Sequence, residues 1–218
     1  MKVKLLADEL DLNLPETPFV FTGGSLLLMV GLPGSGKSSI VENLRHSCPF
    51  VLISTDGIRT LLSSRPIYTP SEMSLVYEIG YELITRRLKQ GQRVVFDASN
   101  HLAARREHVI RLAEQCGAPA AVCIVQAAQE MIQQRLRQRT MGHRRQGDLS
   151  DAYWSVYKWM VEMQEPIAGP HLILDTTSTP PEPLAAQLYQ YWTDIEANAA
   201  GRPYLQSPRW AYKLGNYH

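Results

Sequence analysis

The chain has 218 residues, enough for one full α/β domain and too few for two. Its 44% apolar and 20% charged residues are those of a globular protein, and the net charge of +1 excludes a global pull toward nucleic acid or membrane, so any polyanion site must be a local patch. Asp8 and Glu9 arrive before any long apolar stretch, which argues against a secretory signal, and no run has the length of a membrane span, so a soluble, cytoplasmic protein with no membrane partner is expected.

Residues 1–22 read as an N-terminal extension ahead of the core domain. The apolar run Leu26-Leu27-Leu28-Met29-Val30 then predicts a first strand, and Ser39-Ile40-Val41-Glu42-Asn43-Leu44 has helical spacing. Between them Gly31-Leu32-Pro33-Gly34-Ser35-Gly36-Lys37-Ser38 fits the phosphate-loop pattern G-x-x-x-x-G-K-[ST] at every fixed position. Glycines let the backbone curl so that successive N–H groups face phosphate oxygens, with the positive end of a helix behind them. Gly31, Pro33, Gly34, Ser35, Gly36, Lys37, Ser38 and Ser39 are therefore expected to hold ATP. Lys37 would reach the β- and γ-phosphates, and the Ser38 hydroxyl would ligate Mg²⁺. The alternative, a Gly/Pro-rich turn that binds nothing, is disfavoured because strand, loop and helix agree.

Further along, Phe50–Ser54 predicts a second strand and Ser71–Gln90 a long helix with Leu75, Ile79, Leu83 and Leu88 on one face, closed by Gly91. Arg93–Asp97 is a third strand. A helix over Ala103–Cys116 stops at Gly117-Ala118-Pro119, ahead of a fourth strand, Ala120–Val125. A helix over Ala128–Arg139 leads into a basic, glycine-punctuated loop. Asp148 or Ser150 is placed to cap the next helix, which carries Trp154, Tyr157 and Val161. His171–Asp175 is a fifth strand and Pro183–Asn198 a last helix. The alternation predicts a P-loop NTPase three-layer α/β/α sandwich with a five-stranded, mainly parallel sheet and a helical lid. The domain would run over 23–200, with the lid at about 135–149 and a tail at 201–218. Cys48, Cys116 and Cys123 form no C-x-x-C pair and read as buried free thiols of a reducing compartment. His101 and His108 read as surface helix residues.

Ligands of open α/β sheets bind at the carboxyl ends of the strands. Asp56 follows the second strand and Asp97 ends the third. Taken alone, Asp56 fits a helix cap or a partner for Arg59 equally well, and Asp97 fits an Asx turn. Beside a bound triphosphate, two carboxylates suit phosphoryl transfer: one holds the metal and its waters, the other takes a hydroxyl proton. Between Met131 and Gly147 no acid occurs, whereas Arg135, Arg137, Arg139, Arg144 and Arg145 do. Arg135 and Arg139 share a helical face, and such guanidiniums either stabilise charge on the transferred group or merely complement the end of a helix.

These blocks together resemble the P-loop kinases related to polynucleotide 5′-hydroxyl kinase, a group that includes zeta-toxin and chloramphenicol phosphotransferase relatives. The resemblance covers about Ser25 to Trp192. It implies that Asp56, in Ser54-x-Asp56-x-x-Arg59, is the general base and that Arg59 contacts the acceptor. It implies that Asp97, Ser99 and Asn100 organise the metal and the acceptor pocket, with Asp97 and Ser38 toward Mg²⁺. Arg135 and Arg139 would act on the donor phosphates, and Asp175-Thr176-Thr177 would lie near the adenine, so that Thr176 and Thr177 join the nucleotide site. The leading expectation is an ATP-dependent kinase acting on a polynucleotide or nucleotide 5′-OH. A small-molecule hydroxyl (of a sugar, antibiotic or nucleotide-sugar) and an ATPase or switch subunit are the alternatives, and the acid after the second strand favours a kinase over a switch. Arg202, Tyr204, Arg209, Trp210, Tyr212 and Lys213 mix cations with aromatics and offer stacking for a single-stranded nucleic acid end, although such a tail is more often packing or disorder.

Overall fold

Strands that are apolar on both faces must be covered on both, and a parallel sheet flanked by helices does this. The computed structural model describes residues 2–62, 69–140 and 154–200. Its elements are α1 (Lys2–Asp11), β1 (Ser25–Val30), α2 (Lys37–Leu44), β2 (Val51–Ser54), α3 (Thr55–Leu62), α4 (Pro70–Lys89), β3 (Arg93–Asp97), α5 (Ala103–Cys116), β4 (Ala120–Gln126), α6 (Gln129–Thr140), α7 (Trp154–Met163), β5 (Leu172–Asp175) and α8 (Pro181–Ala200). The strands stand in the order β2-β3-β1-β4-β5, and every neighbouring pair is parallel, so the sheet is wholly rather than mainly parallel.

Successive side chains of each strand feed opposite cores. Leu26, Leu28 and Val30 of β1 join Val94 and Phe96 of β3 under α1, α4 and α5. Leu27 and Met29 join Val95, Cys123 and Val125 under α2 and α8. Trp192 of α8 is fully buried in this second core, and its Nε1 donates to Ser25 Oγ at 2.7 Å. A third, small core of Leu32, Ile132, Leu136, Tyr157 and Met160 joins the phosphate loop to α6 and α7. The three cysteines are buried and free, and burial pushes the Cys123 thiol up to about 12.

Local signals explain the boundaries. Thr69 Oγ1 accepts from Glu72 N at 3.2 Å and Pro70 opens α4, a side-chain N-cap with proline at the first helical position. Gly117 ends α5 in the left-handed conformation (φ 76°). Residues 1–22, expected as an extension outside the core, hold α1, whose Ala7 and Leu10 lie in the first core. Arg87 of α4 is buried and donates to Asp11 Oδ1 (2.8 Å), Asp11 O (2.9 Å) and Glu16 Oε1 (3.0 Å), tying this segment down. No helix among the described residues is long and apolar enough to cross a membrane. The expected lid beyond Thr140, the capping candidates Asp148 and Ser150, and the basic-aromatic tail lie outside the described residues.

Candidate active site

The chain reverses its winding at β1, with β3 on one side and β4 on the other, and the phosphate loop leaves β1 at that point. Gly36 caps α2 in a left-handed conformation (φ 99°), and a Cβ there would stand 3.0 Å from the side chain of Thr176. Both the backbone angle and the close approach require glycine. Lys37 Nζ donates to Gly31 O at 2.7 Å and Leu32 O at 3.4 Å, so the ammonium lies over its own loop.

A cavity of about 590 Å³ opens over this loop. Pro33, Gly34, Gly36, Lys37, Ser38 and Ser39 line it, as do Asp56, Arg59, Asp97 and Ser99 at the strand ends and Arg135, Arg139, Thr176 and Thr177 opposite. Residues drawn from five segments of the sequence thus meet around one space.

Three expected members are placed elsewhere. Ser35 is buried beneath the loop, and its carbonyl accepts from Thr176 Oγ1 at 2.7 Å. Gly31 lies at the root of the loop and donates its N–H to Ser99 O at 3.1 Å. Asn100, expected toward the acceptor, is fully buried behind the wall with φ 47°, and its Nδ2 donates to Met29 O at 2.7 Å. Asparagine tolerates this left-handed backbone, and the residue straps the loop after β3 to the end of β1.

The alternative roles of Asp56 separate cleanly. Ser54 Oγ accepts from Gly57 N at 2.8 Å, so Ser54 and not Asp56 caps α3. Asp56 Oδ1 accepts from Arg59 Nη1 at 2.6 Å, and its side chain keeps 34% exposure toward the cavity. Arg59 is buried, with Nε 3.4 Å from Glu72 Oε1 and Nη2 donating to Met73 Sδ at 3.2 Å. The i,i+3 pairing therefore exists, and it aims the carboxylate rather than removing it from the site.

On the other wall Arg135 donates to Gly34 O (3.0 Å), Thr176 Oγ1 (2.8 Å) and Thr176 O (2.8 Å). Thr177 Oγ1 accepts from Ala128 N at 2.8 Å. Asp175 Oδ1 accepts from Thr177 N at 2.7 Å, and these Thr177 bonds hold its carboxyl below the usual range. The segment after β5 is thereby fixed to α6 and to the phosphate loop.

Ser38 and Asp97 face the same cavity, a hydroxyl and a carboxylate. No cluster of three or more His, Cys, Asp or Glu able to hold a metal occurs among the described residues. That donor set fits Mg²⁺, a hard cation that takes one or two protein oxygens and fills its octahedron with phosphate oxygens and water.

Thr55, Met73 and Tyr77 of α3 and α4, and Val156 and Met160 of α7, also line the cavity, and the motifs do not mark them. The run of aromatic and sulfur-containing residues in α7 is their only sequence signal. Within it Tyr157 is buried and stacks on Trp154 (centroids 4.8 Å, 17°), whereas Val161 is exposed. His108 is exposed as expected and lies against Tyr81 (4.3 Å). His101 is not a surface helix residue: it is buried in the loop before α5, edge-on to Trp159 (5.8 Å, 70°). Burial, with Arg105 and Arg106 nearby, lowers its pKa from 6.5 against the opposing charge of Glu165.

A parallel five-stranded sheet with a phosphate loop after its central strand, and carboxylates at the neighbouring strand ends, is the P-loop kinase fold. The family described as AAA domain matches residues 26–167, and the chain belongs to it. It is 33% identical over 117 residues to the adenylyl-sulfate kinase of Myxococcus xanthus, a match that covers 51% of this chain and 62% of that relative's length. Among solved structures it is similar to a gluconokinase from Sinorhizobium meliloti (TM-score 0.59, 19% identity, 84% of this chain and 99% of that one). It is also similar to the APS kinase of Mycobacterium tuberculosis in complex with AMPPNP and APS (TM-score 0.59, 16% identity, 77% of this chain and 96% of that one). At these identities the structural likeness establishes the fold.

Proposed function

We propose that the chain is an ATP-dependent kinase that moves the γ-phosphoryl group to a hydroxyl of a small molecule. The observation that carries this reading is the Asp56 carboxylate, held by Arg59 on the wall of the same cavity that Lys37 and Ser38 enter. A hydrolytic switch needs a positioned water and has no use for a hydroxyl base there.

In this reading the phosphate-loop N–H groups and Lys37 hold the β- and γ-phosphates. Ser38 and Asp97 would hold Mg²⁺, which offsets charge on the phosphate oxygens. Asp56 takes the proton of the acceptor hydroxyl as its oxygen bonds to the γ-phosphorus and the bond to the β-bridging oxygen breaks, releasing ADP. Arg59 orients that carboxylate and meets the acceptor. Arg135 and Arg139 cover the donor side, and Thr176 and Thr177 border the nucleotide. The relatives are named for adenylyl sulfate and gluconate, which supports a small acceptor. The polynucleotide 5′-hydroxyl that the sequence puts first draws no support from them.

The test is transfer from γ-labelled ATP with Mg²⁺ to a panel of sugars, sugar acids, nucleoside sulfates and 5′-hydroxyl oligonucleotides. Label on a small molecule is the expected result. Label on the oligonucleotides would reverse the acceptor assignment, and release of free phosphate with no labelled product would overturn the kinase reading.

A further inference from the structure

Arg106 sits in the first turn of α5 and is 5% exposed. Its Nη1 donates to Asn100 O and His101 O, both at 2.9 Å. Its Nη2 donates to Glu165 O at 3.2 Å and Pro166 O at 2.5 Å. One guanidinium therefore grips two stretches of main chain, the loop after β3 and the segment after α7. Taking a guanidinium out of water is costly, and carbonyl dipoles offset that only while both stretches stay in place. Burial is accordingly the largest influence on its pKa, and acts to lower it.

Other contacts close the same seam. Glu165 N donates to His101 O at 2.9 Å, and Glu165 Oε2 accepts from Ala103 N. The His101 ring meets Trp159 of α7, and Ser99 Oγ lies 3.0 Å from His101 Nδ1. Both sides of the seam present residues to the cavity: Ser99 from the loop, Val156 and Met160 from α7. Met160 also packs with Leu32 of the phosphate loop and with Ile132 and Leu136 of α6, whereas the segment after β5 is held through Arg135 and Thr176.

We propose that Arg106 is a positioning residue for the acceptor pocket: it latches the C-terminal end of α7 to the loop after β3 and so fixes the part of the cavity wall that Ser99, Val156 and Met160 form. This rests on the kinase reading for the word acceptor, and the latch itself can be measured without turnover. Val156 and Met160 then hold their places in the cavity wall because the segment that follows α7 is tied to the loop after β3.

The experiment compares the parent chain with Arg106→Met, which keeps the apolar stem, and Arg106→Lys, which keeps the charge but lacks the planar fork that reaches both segments. Hydrogen exchange is followed in residues 154–163, with α2 as the internal reference, and affinity is measured for a fluorescent ATP analogue. In Arg106→Met, exchange in α7 should rise about tenfold or more, as expected for lost hydrogen bonds of this kind, while α2 and nucleotide affinity hold. Arg106→Lys should lie between the two. In the transfer assay the KM for the best acceptor of the panel should rise with the KM for ATP unchanged.

Unchanged exchange in α7, or an equal rise in both KM values, would overturn the latch. A merely structural loss would move α2 exchange and nucleotide affinity as well, which also counts against it. A parent chain that labels no acceptor sinks the kinase reading instead, and exchange still decides the latch.

Discussion

Arg135 holds Thr176 at two points, Nη1 to the side-chain hydroxyl and Nη2 to the main-chain carbonyl, both at 2.8 Å. Thr176 Oγ1 donates its own hydrogen bond to Ser35 O at 2.7 Å, so one hydroxyl links α6, the segment after β5 and the phosphate loop. Replacing it with an isosteric methyl leaves Ser35 O without that donor. Thr176→Val should cost roughly 1–3 kcal/mol, the range for a buried acceptor that loses its partner, and weaken nucleotide binding. Urea unfolding and titration with an ATP analogue check this; unchanged values in both would show that the hydroxyl link is incidental.

Lys37→Ala removes the cation proposed to meet the β- and γ-phosphates and two bonds to loop carbonyls. Turnover should fall by about 10²-fold or more, the scale for losing one preorganised group that stabilises transition-state charge. Far-UV circular dichroism should remain that of the parent. Full turnover in this variant would remove the basis for a nucleotide site.

Asp56→Asn keeps the shape of the side chain and cannot take a proton. Transfer should fall by about 10²- to 10⁴-fold, the contribution of a positioned general base, with little change in ATP affinity. Asp97→Asn should instead weaken Mg²⁺-dependent nucleotide binding. An Asp56→Asn chain that transfers at the parent rate would reduce the residue to an anchor for Arg59.

His101 gives a pH signature of stability. Arg105 and Arg106 of α5 and Glu165 after α7 face it, and burial adds to the two arginines in keeping its folded pKa below 6.5. Below that ordinary value the unfolded chain binds the proton more readily, so stability should fall as pH drops from about 6.5 and level off below the folded pKa. His101→Gln should lose this part of the acid sensitivity. Urea midpoints of parent and variant at about pH 7.5 and about pH 5.5 measure it, and equal slopes would mean that His101 titrates as an ordinary surface residue.

Asp11→Ala should destabilise the chain by roughly 1–3 kcal/mol, because the buried Arg87 then loses a charge-assisted partner. An unchanged urea midpoint would mean that the Asp11–Arg87 ion pair adds nothing to the other contacts that hold α1.

What could be read from the sequence follows from how local each cause is. β1, β3 and β4 are buried on both faces, so each appears as an unbroken apolar run, and α5 carries its stop signal in Gly117-Ala118-Pro119. The phosphate loop is legible because its glycines, lysine and serine answer to a phosphate group and to adjacent elements. α1 is short, buries only Ala7 and Leu10, and is secured by Arg87 from far along the chain, so no local pattern announces it. His101 is covered by α7 and the segment after it, again a distant cause. Asn100 sits in a block of polar residues at a strand end and looks like a ligand residue, yet its backbone angle and the Met29 carbonyl claim it for the scaffold. The part of the cavity lining that comes from α3, α4 and α7 has nothing in its spacing to mark it.

Leu32 occupies one of the four interior positions that the phosphate-loop pattern leaves unspecified, yet its side chain is 8% exposed and belongs to the core shared with Ile132, Leu136, Tyr157 and Met160. The loop is thus a floor as well as a cradle. A chain carrying Leu32→Asp would still match the phosphate-loop pattern at every fixed position while setting a carboxylate into the core it shares with α6 and α7. Tolerance at this position is governed by its four neighbours across the cavity floor, so redesign of the loop in this protein has to be carried out jointly with α6 and α7.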